Sequence, residues 1–150
     1  MTEKIQKWFF YLIPPSLVFS IFIADALIIF TSILFLITQI YRNNFTIFRN
    51  KYFLFFLFFW FYLVINSIFS YNSELSLSRS LPYLRFGIFF LAFGYMLALD
   101  DFKNKFLQFV LFFLIFICVD ANIQFFIGTN LIGYEAHVSR ISSFFKDELV

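Results

Sequence analysis

The chain has 150 residues, of which 62% are hydrophobic and 13% are charged, and 29 of them are phenylalanine. A soluble domain of this length is usually about half apolar and about a quarter charged. The composition therefore argues against a soluble globular domain and favours a protein that faces lipid. The formal net charge of +2 comes from scattered basic residues without a Lys/Arg run, so nothing indicates a nucleic-acid partner.

Apolar blocks follow one another along the chain. They run from Trp8 to Ile40, from Tyr52 to Phe69, from Pro82 to Leu99 and from Phe106 to about Ile127. Each of the last three is close to the roughly 20 residues that cross a bilayer as a helix. Because a helix closes its backbone hydrogen bonds internally, these blocks are predicted to be transmembrane helices.

The first block is too long for one ordinary span and short for two. Pro14 and Pro15 are expected to break or kink its first half. Asp25 lies at its centre, where a carboxylate is costly in mid-bilayer but not at a turn. The pattern predicts a tight hairpin of two short helices that turns near Ala24 to Ala26.

Loop charge gives an independent indication of orientation, because cytoplasmic loops are enriched in Lys and Arg. With the hairpin and a cytoplasmic N-terminus, the inner side collects Lys4, Lys7, Arg42, Arg49, Lys51, Lys103 and Lys105. The outer side then holds Arg79, Arg85, Arg140 and Lys146. The hairpin thus puts seven basic residues inside and four outside, whereas a single first span would put six inside and five outside. The larger bias favours the hairpin.

The sequence thus predicts an all-α, polytopic transmembrane helical bundle of about five spans, with the N-terminus inside and the C-terminus outside. No linker or repeat suggests a second domain. The predicted spans are residues 8–23, 26–41, 52–69, 82–99 and 106–127, followed by an external loop at 128–150.

Two arginines flank the predicted start of the fourth span. Arg79 and Arg85 lie on either side of Pro82, which is suited to the first position of a helix, with Ser80 as a cap. Helix N-terminal N–H groups and arginine side chains together favour a phosphate. The alternative is that both arginines reach ordinary lipid headgroups.

Asp120 lies in the outer third of the last predicted span, and Gln124 follows one turn later on the same face. An ionisable group within a span usually faces a protein interior or a watery cavity, so Asp120 is a site candidate. The alternative is structural: the acid pairs with an arginine of a neighbouring helix. After this span, Gly128 and Gly133 predict a helix stop and a turn.

Other residues carry weaker signals. Gly87, Gly94 and Ala98 form a small-residue stripe that predicts close approach of another helix. Cys118 is predicted to be a small buried apolar residue, and His137 is weak evidence for catalysis. No metal-ligand spacing, nucleophile triad or glycine-rich phosphate loop appears, so no cofactor is expected.

The end of the chain resembles the O-antigen ligase and O-antigen polymerase family. The resemblance is most specific in Asp120-x3-Gln124-x3-Gly128-x-Asn130-x2-Gly133-Tyr134 and in Arg140-x-Ser142-Ser143-Phe144-Phe145-x-Asp147-Glu148-Leu149. The stretches LIPPSLVFSIFIADALI and SLSRSLPYLRFGIFF also look like the early part of such proteins. The chain departs in detail, because Asn130 stands where an acid is common and Ser143 where a glycine is common.

The resemblance implies a multi-pass protein of the bacterial inner membrane. Such proteins transfer or polymerise sugar chains carried on undecaprenyl diphosphate at the periplasmic face, in lipopolysaccharide O-antigen synthesis, without a metal. It further implies that Arg85 and Arg140, with Arg79 nearby, bind the diphosphate of the lipid-linked oligosaccharide, and that Asp120 and Gln124 order the outer cavity. No catalytic residue is assigned.

Members of that family have about ten or more helices, and their catalytic loop would lie beyond Val150. The resemblance therefore implies that this chain is the N-terminal part of a longer protein, inactive alone, whose remaining helices are its partners. The sequence leaves ligase and polymerase undistinguished. It also leaves open a non-enzymatic small membrane protein, such as an assembly subunit or a transporter fragment.

Overall fold

The computed structural model describes residues 2–135 and is helical nearly throughout. The helices are α1 (Thr2–Phe19), α2 (Ile21–Tyr41), α3 (Lys51–Ile68), α4 (Ser73–Ser80), α5 (Leu84–Leu97) and α6 (Asp100–Ile127). Short 3₁₀ segments, Phe45–Arg49 and Leu81–Tyr83, precede α3 and α5. Within the described residues, the β-structure is a single bridge between Thr129 and Glu135. The predicted all-α class is confirmed.

Among residues 2–135, four helical stretches are long and apolar enough to cross a membrane. They are Ile21–Tyr41, Lys51–Ile68, Ser73–Leu97 and Asp100–Ile127. These stretches agree with four of the five predicted spans. The helix α1 is different, because Glu3, Lys4 and Lys7 occupy its first turns and leave only about 12 apolar residues, or roughly 18 Å of helix.

The first apolar block forms two helices, as predicted, but the turn lies elsewhere. Residues 24–26 are helical, and the break falls at Ser20, whose backbone is extended with φ −163° and ψ 115°. The predicted turn at Ala24 to Ala26 is therefore wrong. The helix α1 also continues through Pro14 and Pro15 rather than ending there.

Side-chain contacts fix the relative directions of the helices. Asp25 pairs with Arg85 near the starts of α2 and α5, and Arg42 donates to the Tyr95 hydroxyl just beyond the end of α2 and near the end of α5. These two helices therefore run in the same direction. Lys4 and Lys7 of α1 line one groove with Asp101, at the start of α6, and α6 directly follows α5, so α1 begins where α5 ends and runs antiparallel to both α2 and α5.

The last helix starts beside the first half of α1, since Asp101 lines a groove with Lys4 and Lys7 and the Phe102 ring contacts Tyr11. The bundle consequently has two distinguishable ends. We call the end with Lys4, Lys7, Arg42 and Lys105 the lysine end. The opposite end, towards which α6 runs and where α5 begins, is called the arginine end.

The core is an aromatic cluster on α5 and its neighbours. Phe10 packs against Phe89 and Phe93 with ring centroids 5.6 Å apart in both pairs, and against Phe102 at 5.9 Å. Phe10, Phe35 and Phe102 are each 1% exposed. Many other phenylalanines point outwards, as Phe22 and Phe126 do, which is the distribution expected of a bundle in lipid.

Helix starts and stops follow local signals. Asn50 caps α3 by accepting from the Tyr52 N–H at 2.9 Å, and Asn72 caps α4 by accepting from Leu75 at 3.2 Å. Gly128 ends α6 in the left-handed region with φ 87°, and Gly133 has φ 96° in the following turn. The predicted helix stop and turn at these two glycines are confirmed.

Candidate functional site

Arg85 and Asp25 form an ion pair between the first turns of α5 and α2. The distance from Arg85 Nη2 to Asp25 Oδ1 is 2.8 Å, and about a third of each side chain is exposed, 29% and 35%. The hydroxyl of Ser32 donates to the Arg85 carbonyl at 3.3 Å and ties the same two helices together. Arg85 Nε is buried and makes no hydrogen bond in the described part of the chain. The guanidinium thus has a fixed position and further donors.

The backbone before α5 differs from the free helix N-terminus that the sequence predicts at Pro82. The Leu84 N–H donates to the Leu81 carbonyl, because the 3₁₀ segment continues α4 into α5 almost without interruption. Ser80 makes no cap, and its buried hydroxyl oxygen has no partner among the described residues. The predicted helix start at Pro82 with a Ser80 cap is therefore wrong, and the Leu84 N–H of this segment is already bonded.

Arg79 has different surroundings from Arg85. It lies exposed in the last turn of α4, whereas Arg85 lies one helix later and is bonded to Asp25. The structure therefore brings Arg85 together with Asp25 rather than presenting two equivalent arginines. The predicted third arginine, Arg140, lies outside the described residues, as do His137 and the loop beyond Glu135.

Asp120 and Gln124 hold a folded segment, residues 128–135, which we call the polar turn. Both side chains are fully buried. Asp120 Oδ1 accepts from the Leu131 N–H at 2.9 Å, and Gln124 Nε2 donates to the Tyr134 carbonyl at 3.3 Å. The two side chains, one helical turn apart on α6, thus reach the same turn, and the acid binds a backbone N–H of it.

Asn130 organises the polar turn from inside. Its Oδ1 accepts from the N–H groups of Ile132 at 3.1 Å and Tyr134 at 2.7 Å, and its N–H donates to the Tyr134 carbonyl at 3.0 Å. The side chain is 5% exposed. The role of Asn130 in the turn was not predicted; its position three residues before Gly133 is the signal of an Asx-type turn.

Several other residues differ from expectation. Asp25, expected at a turn, lies within α2 and pairs with Arg85; a carboxylate within an apolar block also signals such a partner. Cys118 is exposed on α6 rather than buried, so that prediction is wrong. Of the small-residue stripe, Gly87 is buried against Phe56 of α3, whereas Gly94 lies open.

The part of the chain that the structure describes contains no cluster of three or more His, Cys, Asp or Glu side chains able to hold a metal ion. Comparisons of the chain with protein-family models, curated proteins and solved structures found no match.

Proposed function

We propose that this chain belongs to a membrane glycosyltransferase of the O-antigen ligase or polymerase type. Its substrate would be an oligosaccharide on undecaprenyl diphosphate, bound at the arginine end, which would face the periplasm of a bacterial inner membrane. The observation that carries the proposal is the polar turn. Asp120, Gln124 and Tyr134, which belong to the stretch that resembles the family, are tied into this turn by hydrogen bonds, together with Asn130.

The chemistry of the arrangement suits a lipid-linked anionic substrate. Irregular polar backbone is stable at the end of a span only when its N–H and C=O groups are satisfied, and Asp120 and Gln124 do this for the turn. The turn therefore has a fixed shape beside the apolar end of α6. A substrate with a polyprenyl tail and a sugar headgroup requires such a junction of apolar and polar surface.

Arg85 supplies the electrostatic part of the proposal. A guanidinium carries five N–H donors, and the contact with Asp25 uses only part of them. The remaining donors would bind the diphosphate, and the positive charge would stabilise the negative charge that develops on the departing diphosphate. Asp25 would act as a positioning residue that fixes the guanidinium.

The test measures release of undecaprenyl diphosphate from an undecaprenyl-diphosphate oligosaccharide by the protein that contains this chain, reconstituted in nanodiscs. Asp120→Leu removes the acceptor of the Leu131 N–H, a charge-assisted bond of about 1.5–3 kcal/mol, and is expected to lower turnover at least tenfold. The matched control is Asn122→Ala on the same helix, whose amide bonds the Cys118 carbonyl away from the turn. It should leave turnover within about twofold.

The ion pair is tested separately with the double variant Asp25→Asn/Arg85→Gln. It removes both charges together, so the bundle keeps a neutral pair at that position. We expect it to lose turnover by at least 100-fold while it folds normally. Full turnover in this variant would remove Arg85 from the mechanism, and a wild-type protein that never consumes the lipid-linked substrate would refute the function itself.

A further inference from the structure

An amphipathic groove lies between α1 and α6 at the lysine end, far from the polar turn. Its volume is about 490 Å³. The floor is aromatic and is made by Tyr11, Phe102 and Phe109, while the rim carries Lys4, Lys7 and Lys105. The groove thus joins an apolar trough to a cluster of ammonium groups.

The rings of the aromatic floor pack against one another edge to face. The Tyr11 ring lies 5.7 Å from the Phe102 ring and 5.3 Å from the Phe109 ring, both T-shaped. Trp8 stands at the edge of the groove with 70% of its surface exposed. Tryptophan is enriched where one side of a residue meets hydrocarbon and the other meets headgroups. The groove therefore opens at a membrane–water boundary.

The charge of the groove favours an anion. Among the described residues that line it, three lysines stand against a single carboxylate, Asp101. Asp101 Oδ1 already binds Lys105 Nζ at 2.8 Å. Both α1 and α6 begin at this end, so the positive ends of their dipoles point in the same direction. Lys4 and Lys7 are consequently placed to bind a negatively charged group.

We propose that this groove binds an anionic glycerophospholipid of the surrounding bilayer. Its phosphate lies against Lys4 and Lys7, and one acyl chain lies along the aromatic floor. A free phosphate would leave the apolar trough unfilled, and a zwitterionic lipid would leave the lysines without a net negative partner. Basic pockets between helices are known to bind acidic lipid headgroups on these physical grounds.

The test compares lipids that differ only in headgroup. The protein in detergent is titrated with phosphatidylglycerol or phosphatidylcholine of the same acyl chains, and bound lipid is counted by native mass spectrometry. We expect selective retention of phosphatidylglycerol. In the Lys4→Gln/Lys7→Gln variant its affinity should fall about 30-fold, that is about 2 kcal/mol for two lysines near an anionic surface.

A matched control removes two charges at the same end but outside the groove: Lys51→Gln/Lys103→Gln. It should retain phosphatidylglycerol within about threefold of wild type. Trp8→Ser should weaken binding of both lipids, because it acts on the acyl chain and not on the headgroup. Since Lys4 and Trp8 are exposed, these variants are expected to fold, and unfolding midpoints without added lipid check this.

Three results would overturn the proposal. The first is equal retention of the two lipids by wild type. The second is an equal loss of phosphatidylglycerol binding in the control variant, which would indicate non-specific attraction. The third is complete displacement of the lipid by millimolar inorganic phosphate, which would indicate a simple anion site without a role for the aromatic floor.

Discussion

At the scale of single residues, the pairing of Asp25 with Arg85 changes how the first apolar block is understood. An isolated carboxylate within a span is costly, which is why the sequence suggested a turn around it. An arginine 60 positions later neutralises it across the α2–α5 contact. Helix α2 can therefore continue through Asp25. The break between α1 and α2 lies at Ser20, an uncharged residue that needs no ion-pair partner.

This pairing predicts a stability pattern. Arg85→Gln leaves an uncompensated carboxylate between two helices and should destabilise the bundle by about 1–3 kcal/mol. The figure is below the 3–5 kcal/mol of a fully buried pair because about a third of each side chain is exposed. Asp25→Asn should destabilise it similarly, and the double variant should recover most of the loss. Unfolding midpoints in detergent measure all three.

The control for that experiment is Arg79→Gln, which removes the same charge from an exposed position on α4. Its unfolding midpoint should stay at the wild-type value. Additive losses in the double variant would show that the two side chains act independently and would contradict the ion pair.

A residue's structural role could be predicted from the sequence only where the signal for it lies in the neighbouring residues. The positive φ of Gly128 and Gly133 follows from glycine's missing Cβ, and the shared face of Asp120 and Gln124 follows from helical spacing. The partners of Asp25 and Asp120 are brought in by tertiary packing or by a folded turn. No spacing rule in one sequence identifies them.

At the scale of helices, hydropathy located the spans but not the helix ends. The predicted spans 82–99 and 106–127 overlap helical stretches that begin earlier, at Ser73 (α4 continuing into α5) and at Asp100. Polar caps explain the extensions. Asn72 caps α4, and Asp100 and Asp101 lie in the first turn of α6, where they complement the helix dipole. A helix of 28 residues is about 42 Å long and exceeds the hydrocarbon thickness.

The contact between α3 and α5 gives the second prediction. A Cβ on Gly87 would meet the Phe56 ring at well under van der Waals distance, whereas a Cβ on Gly94 would meet nothing within 4 Å. Gly87→Ala should therefore destabilise the bundle by about 1–3 kcal/mol through overpacking. Gly94→Ala should be neutral or slightly stabilising because alanine favours the helix. Denaturant titration in mixed micelles compares the two variants.

A smaller side chain in place of Phe56 tests whether overpacking causes the loss of stability in Gly87→Ala. Phe56→Leu combined with Gly87→Ala should recover part of the lost stability, because the smaller side chain leaves room for the added methyl. If Gly87→Ala and Gly94→Ala behave alike, the two helices do not approach as closely as the structure describes.

At the scale of the whole molecule, polar and apolar residues are distributed as in a membrane bundle. Gln6, Thr31 and Gln39 are buried between helices while large aromatic side chains cover the outside. Amides and hydroxyls in lipid are favoured only where they face protein. Composition predicted this class, and four helical stretches of the described residues are long and apolar enough to cross a membrane. The hairpin of α1 and α2 was predicted from Asp25 as a turn residue, from the prolines and from loop charge; the structure has two helices there, but the break lies at Ser20.

Orientation in the membrane provides the third prediction. The lysine end carries most of the basic residues, and cytoplasmic loops attract Lys and Arg, so this end is expected to face the cytoplasm. In a Cys118→Ser background, Ser20→Cys and Asn72→Cys should react with a membrane-impermeant maleimide in bacteria whose outer membrane alone is permeabilised. Asn43→Cys, in the connection after α2, should react only after the inner membrane is opened. The reverse pattern would place the arginine end in the cytoplasm, away from periplasmic lipid-linked sugar, and the proposed glycosyl transfer would fail with it.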